Sequence, residues 1–221
     1  HGASLDALNH VYDVLYREVH SVTDNPIVFH RDNLILSGGN FHGQPLALAL
    51  DYLKLAMAEV ANISERRVFQ LLAGKRGLPE FLIGQVGLNS GLMIAQYTAA
   101  ALVSHNKQLA SPASVDSVPS CNNQEDHVSM GANAALQAWE ILQNTRQVLA
   151  IELLTASQAL HFREPLQTSP TLLPLLSRFR DEVPLIEQDR YLAEALEKAK
   201  LYLENEARSF DLALGAYRQG L

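Results

Sequence analysis

Charge is nearly absent from two long segments of the chain. Between Phe81 and Gln124 only Lys107 and Asp116 are charged, and between His127 and Phe162 only Glu140, Arg146 and Glu152. Both segments carry helical patterning, and a helix that is apolar on every side must be covered on every side. A chain of 221 residues has too little interior to hide two such helices. Their natural cover is other copies of the same chain, which predicts an oligomer with these helices in its core. Between the two segments, within Val115 to Met130, lies the polar run Asn122-Asn123-Gln124-Glu125-Asp126-His127. Polar groups set between sequestered segments are costly unless hydrogen-bonded. The run therefore predicts a buried network, an active site, or both.

The rest of the chain reads as an all-α bundle of long helices with one small hairpin. Leu5, Leu8, Val11, Leu15 and Val19 recur at helical spacing and predict a helix to about His20, ended by Thr23-Asp24-Asn25-Pro26. Ile27 to His30 and Leu34 to Ser37 flank Arg31-Asp32-Asn33 as a β-hairpin, which should pack on the helices because two strands alone are marginal. Pro45 opens a helix to about Leu72, with Ser64-Glu65-Arg66-Arg67 on a solvated or interface face. Leu88 to Ala110 and Gln124 to about Phe162 predict the two apolar helices. Beyond Arg163 four prolines cut the chain into shorter surface helices, over Leu172 to Arg180 and Asp189 to about Arg208, with a frayed tail from Gly215. Residues 1–162 are thus expected to form the central bundle and residues 163–221 to pack on it.

Composition closes off several function classes. A net charge of -7 without a Lys/Arg cluster argues against a nucleic-acid surface. No apolar run reaches membrane-spanning length without polar interruption, and no signal peptide is visible. The single cysteine, Cys121, fits a reducing, cytoplasmic compartment. The chain lacks an initiator Met and begins within a helical pattern, so a fragment or processed product is expected.

The candidate chemistry has bland readings beside it. Gly38 to Gly43 lies between a strand and a helix, where phosphates are often cradled, but it contains no nucleotide fingerprint. A tight connection explains it, with Phe41 and His42 conspicuous at its tip. Eight histidines show no zinc spacing, and His127 reads as a hydrogen-bonded interior histidine. Glu125 and Asp126, on a helix, would point about 100° apart, which excludes a facing carboxylate pair. They either cap that helix, with Asn122 or Asn123, or one of them faces a pocket as partner to an amine or imidazole. No serine sits in a hydrolase elbow.

Several stretches carry a resemblance: Ser21 to Pro26 (SVTDNP), Ser37 to His42 (SGGNFH), Ser64 to Arg67 (SERR), Asn89 to Gln96 (NSGLMIAQ), Ala110 to Ser117 (ASPASVDS), Asn123 to Met130 (NQEDHVSM) and Leu149 to Leu154 (LAIELL). In this order they resemble the aromatic amino-acid ammonia-lyases, and most closely the branch acting on histidine. The resemblance implies an all-α homotetramer with a shared central bundle, a small-molecule amino-acid substrate, and elimination of ammonia to an unsaturated acid. It also implies a methylidene-imidazolone prosthetic group formed from an internal Ala-Ser-Gly, and no metal. No Ala-Ser-Gly occurs in this chain. The chain corresponds to the C-terminal part of such a lyase, with the triad, the tyrosines and the carboxylate-binding arginine of the family upstream, so activity of this part alone is not expected. Carried over residue by residue, Phe41 would line the substrate pocket, Glu125 would contact the imidazole or amine, and Gln124 would shape the site beside it. Members acting on phenylalanine and tyrosine carry Asn-Gln-Asp here, so Glu125 implies histidine, with urocanate as product. The alternatives are a lyase or aminomutase of the family acting on another aromatic amino acid, and a helical oligomerisation module without chemistry.

Overall fold

A computed structural model describes the backbone of residues 1–218 and the side chains of residues 1–206. Among the described residues six α-helices and one hairpin occur: α1 (Gly2–Val19), β1 (Ile27–Phe29), β2 (Leu34–Leu36), α2 (Gln44–Leu72), α3 (Met93–Leu109), α4 (Gly131–His161), α5 (Leu173–Glu182) and α6 (Ala193–Arg218). The fold is all-α apart from the hairpin, and α4, at 31 residues, is the longest of these helices. The residues pack as two compact units, 1–60 with 104–143 and 61–103 with 144–221.

In the first unit a small core joins Val11, Ala49, Leu53 and Ala138, with Val14, Leu15, Leu50, Met57 and Leu142 against it. Short alanines at 49 and 138 share this core with the longer leucines at 15, 50, 53 and 142. The hairpin pairs Ile27 with Leu36, Val28 with Ile35 and Phe29 with Leu34. Its side chains stay largely exposed, so the expected packing on helices is not what holds it. The hairpin is fastened at its base. Asn25 Oδ1 accepts from Gly38 N–H (3.0 Å), and Asn40 N–H donates to the Thr23 carbonyl (3.0 Å). A Cβ on Gly39 would lie 2.7 Å from the Asp24 carbonyl oxygen, so only glycine allows this approach.

The second unit holds the larger core, including Val68, Leu82, Ile83, Leu92, Val148, Ile151, Leu154 and Phe179. Full burial of each such side chain is worth about 1.5–3 kcal/mol. Buried Gln158 stitches it together, donating to the carbonyls of Leu82 (3.2 Å) and Ile186 (2.8 Å) and accepting from Ile186 N–H (3.1 Å). The Ser-Glu-Arg-Arg stretch meets the expected solvated or interface face only in part: Arg66 is exposed, but Ser64 and Glu65 are buried. Ser64 donates to Glu152 (2.6 Å), Arg67 forks onto the same carboxylate, and Glu65 accepts from Gln96 (3.0 Å). Hydrogen bonding to Glu152 raises the Arg67 pKa further above its ordinary value, with burial opposing.

Several helix limits differ from the sequence expectation. Helix α3 starts at Met93 and not Leu88, because Ser90 and Gly91 N–H are bound by the carboxylate of Asp189 (2.8–3.0 Å) and Gly91 takes φ +52°. Helix α4 starts at Gly131 and not Gln124, for reasons given below. Helix α6 starts at Ala193 and runs to Arg218, so Gly215 to Arg218 is helix where fraying was expected; the expectation for 219–221 lies outside the described residues. Neither apolar helix is covered on all faces within this chain, since Ile94, Tyr97, Leu136 and Trp139 are exposed.

Candidate active site

The polar run does not continue α4. Ser120 and Glu125 exchange backbone hydrogen bonds (3.0 and 3.3 Å), closing a tight turn whose residues Cys121, Asn122 and Asn123 have φ of 52°, 54° and 69°. Left-handed backbone is tolerated by asparagine and costs more for cysteine. Strain of this kind concentrates where a side chain must be aimed. The turn leaves Asn122, Asn123, Gln124, Asp126 and His127 exposed and Glu125 half-buried. The interior placement of His127 and the helical placement of Glu125 and Asp126 are therefore corrected, and of the readings of the polar run a network buried within this chain is not the one found. The polar run forms a presented loop.

Glu125 reaches the tip of the glycine-rich loop. His42 Nε2 lies 2.8 Å from Glu125 Oε2, with the two side chains 31% and 34% exposed. Phe41 tilts against the His42 ring at 4.6 Å between centroids and is itself exposed. Phe41, His42 and Glu125 thus meet in one place, 83 residues of chain separating the last two. Gln124 adjoins Glu125 with its side chain in the open and its N–H on the Cys121 carbonyl (3.1 Å). Sequence reading placed His42 at a conspicuous tip but did not connect it to Glu125, because nothing local links the two loops.

The loops are held against each other by further contacts. Ser129 Oγ donates to the His42 carbonyl, and a Cβ on Gly131 would come within 3.3 Å of the Gly43 carbonyl oxygen. Gly43 itself has φ +77°. Val128 N–H donates to Ser117 Oγ (2.9 Å), which ties the polar loop to the 110–117 segment. That segment is clamped by α2: Gln44 Nε2 donates to the Ser114 carbonyl (3.2 Å), Asp51 Oδ2 accepts from Ser114 N–H (2.7 Å), and Lys54 Nζ donates to the Ser111 carbonyl (2.8 Å). Lys54 is fully buried, and it also meets Asp51 Oδ1 (2.7 Å) and Gln137 Oε1 (2.5 Å). Burial alone would push the Asp51 carboxyl up, but Lys54 and the Ser114 donors together hold it below its ordinary value.

No cluster of three or more His, Cys, Asp or Glu able to hold a metal occurs among the described residues. No described helix is long and apolar enough to cross a membrane. What the arrangement offers chemically is an aromatic wall beside a carboxylate with one oxygen engaged by an imidazole.

An all-α bundle that presents a carboxylate and an aromatic ring on two apposed loops has a known counterpart. The chain belongs to the aromatic amino acid lyase family, whose model matches residues 1–181. Among curated relatives it is 55% identical to histidine ammonia-lyase of Natranaerobius thermophilus over 199 residues, covering 89% of this chain and 39% of that protein. Among solved structures it superimposes on histidine ammonia-lyase from Trypanosoma cruzi with a TM-score of 0.90 at 42% identity, over 94% of this chain and 41% of that one. Tyrosine aminomutase from Streptomyces globisporus matches with a TM-score of 0.86 at 38% identity, over 94% and 41%. The chain therefore spans about two fifths of the length of the relatives it matches.

Proposed function

We propose that these residues form the C-terminal part of a histidine ammonia-lyase, which eliminates ammonia from L-histidine to give urocanate in histidine catabolism. The observation that carries the reading is Glu125, half-buried and aimed from a left-handed turn at the tip where Phe41 stands. A carboxylate there satisfies an imidazole N–H that an apolar wall would leave unpaired. Identity of 55% to a histidine ammonia-lyase supports the same substrate. Phe41 supplies the wall beside the ring, and Gln124 shapes the approach on the other side of Glu125.

The family's methylidene-imidazolone supplies the electrophile that activates the substrate. These residues do not build it. No Ala-Ser-Gly occurs among them, and Ala3-Ser4 and Ala156-Ser157 lie inside α1 and α4. Ala110-Ser111 and Ala113-Ser114 are pinned by Lys54 and Asp51. The contribution of this chain is to bind and orient the substrate, and by itself it does not deaminate histidine.

The exposed apolar residues support assembly as a homotetramer. Leu48, Tyr52 and Leu55 share one face of α2, Ile94 and Tyr97 one face of α3, and Leu136 and Trp139 one face of α4. Apolar stripes at helical spacing are the surface that copies of a chain bury against one another. In such a tetramer residues 1–162 would contribute the central bundle and residues 163–218 would pack on it. The lone cysteine supports a cytoplasmic location.

The test is product identification with a lyase of full family length carrying this chain, supplied separately with L-histidine, L-phenylalanine and L-tyrosine. Urocanate from histidine alone is expected. Cinnamate or coumarate would replace the reading with another ammonia-lyase, a β-amino acid with an aminomutase, and no product from any substrate with a non-catalytic module. Urocanate formed by the 221 residues alone would contradict the division of labour.

A further inference from the structure

The proposed role of Glu125 leaves its neighbour His42 without one. The carboxylate is bonded through Oε2 to His42 Nε2 at 2.8 Å. A carboxylate oxygen accepts, so in this pair Nε2 is the donor. The ring is fixed from two sides. Its main chain is held by the Ser129 hydroxyl on the His42 carbonyl, and its face is blocked by Phe41 at 4.6 Å. The carboxylate is fixed from the other end by the left-handed turn of Cys121 to Asn123. With both backbones held by other contacts, the His42–Glu125 hydrogen bond is the side-chain contact that orients the Glu125 carboxylate among the described residues.

We propose that His42 is a positioning residue: by donating from Nε2 to Oε2 it turns the Glu125 carboxylate so that Oε1 alone is presented to an N–H of an imidazole-bearing substrate. This rests on the reading of Glu125 as the substrate's partner and deepens it. A freely rotating carboxylate accepts from any ammonium or guanidinium in two-point fashion. With one oxygen committed, it offers a single directed acceptor, which suits a ring N–H and disfavours a fork.

The experiment compares His42→Ala, His42→Gln, Glu125→Gln and the double variant His42→Ala/Glu125→Gln in the full-length lyase, reading kcat and KM for histidine. His42→Ala should lower kcat/KM by about 10- to 100-fold, as misorientation of a polar group does. His42→Gln keeps an N–H donor and should recover to within about fivefold of wild type, the difference between a neutral and a charge-assisted bond. On top of Glu125→Gln, removing His42 should cost less than about twofold further, because the two act as one unit. Independently of turnover, nitrogen NMR of the His42 ring should show Nε2 protonated in wild type and a mixed tautomer in Glu125→Ala. Wild-type kinetics for His42→Ala beside a crippled Glu125→Gln would overturn this inference alone. Additive losses, failure of His42→Gln to recover, or an Nδ1-protonated ring would do the same. Wild-type kinetics for Glu125→Gln would overturn the reading of Glu125, and this inference with it.

Discussion

Two side-chain pairs of the first unit, Lys54 with Asp51 and His42 with Glu125, share a carboxylate and little else. Lys54 and Asp51 are buried, and Gln137 and the backbone at Ser111 and Ser114 bond the groups around them. His42 and Glu125 are about one third exposed, and one carboxylate oxygen carries no bond among the described residues. The first pair is closed, and its geometry is spent on fixing the 110–117 segment. The second is open, and its geometry is available to something else. The difference separates a structural pair from a functional one better than charge or motif does, because a buried ion without full pairing is too costly to keep, whereas an exposed one loses little by waiting.

Lys54 is the most sensitive point of the closed pair. Lys54→Met leaves Asp51 buried without its cation and should cost about 3–5 kcal/mol of stability, read as a lowered urea midpoint. Replacing Lys54 and Asp51 together with Met and Leu should recover part of that loss, which a double-variant cycle in urea would detect. A Lys54→Met midpoint equal to wild type would show that the pair is not closed.

Phe41→Ala belongs to the open pair. It should raise KM for histidine about tenfold with a smaller change in kcat, since it removes a wall and no charge. The urea midpoint should barely move, because Phe41 is 47% exposed.

The smallest effect is acid sensitivity. The Asp51 pKa is lowered from 3.8 in the folded protein, so the stability this carboxylate contributes is fully present above about pH 4. It is lost as pH falls through the lower folded value. Asp51→Asn should remove that component, flattening the loss of unfolding free energy below pH 4 in an acid titration. Unchanged acid dependence would show that Asp51 is not held in its charged form by the fold.

Much of this was legible in the sequence and some was not, for one physical reason. Helix α2 and the hairpin follow from local signals: Pro45, a leucine stripe, and apolar runs either side of Arg31-Asp32-Asn33. The start of α3 depends on Asp189, a residue 98 positions downstream, and no local pattern reports it. Gly91 was the available hint, because its φ of +52° excludes a helix there. The start of α4 had a local mark in Gly131, its first residue, but the left-handed turn ahead of it was hidden in the same way. No Pro or Gly marks Cys121 to Asn123, and their left-handed backbone comes from the Ser120–Glu125 closure and from the Ser117–Val128 and Ser129–His42 ties. Glu125 and Phe41 could be named from a family motif, but the joining of their loops through His42 is tertiary.

The role of Glu125 depends on whether its open oxygen belongs to the substrate. The direct measurement is steady-state urocanate formation by full-length Glu125→Gln, with the urea midpoint taken on the same preparation. Gln keeps the shape and removes the charge, so turnover should fall by about 100-fold or more while the midpoint stays at the wild-type value. Wild-type kinetics, or a loss of activity matched by a loss of stability, would place Glu125 with Lys54 and Asp51 among the structural pairs and contradict the account.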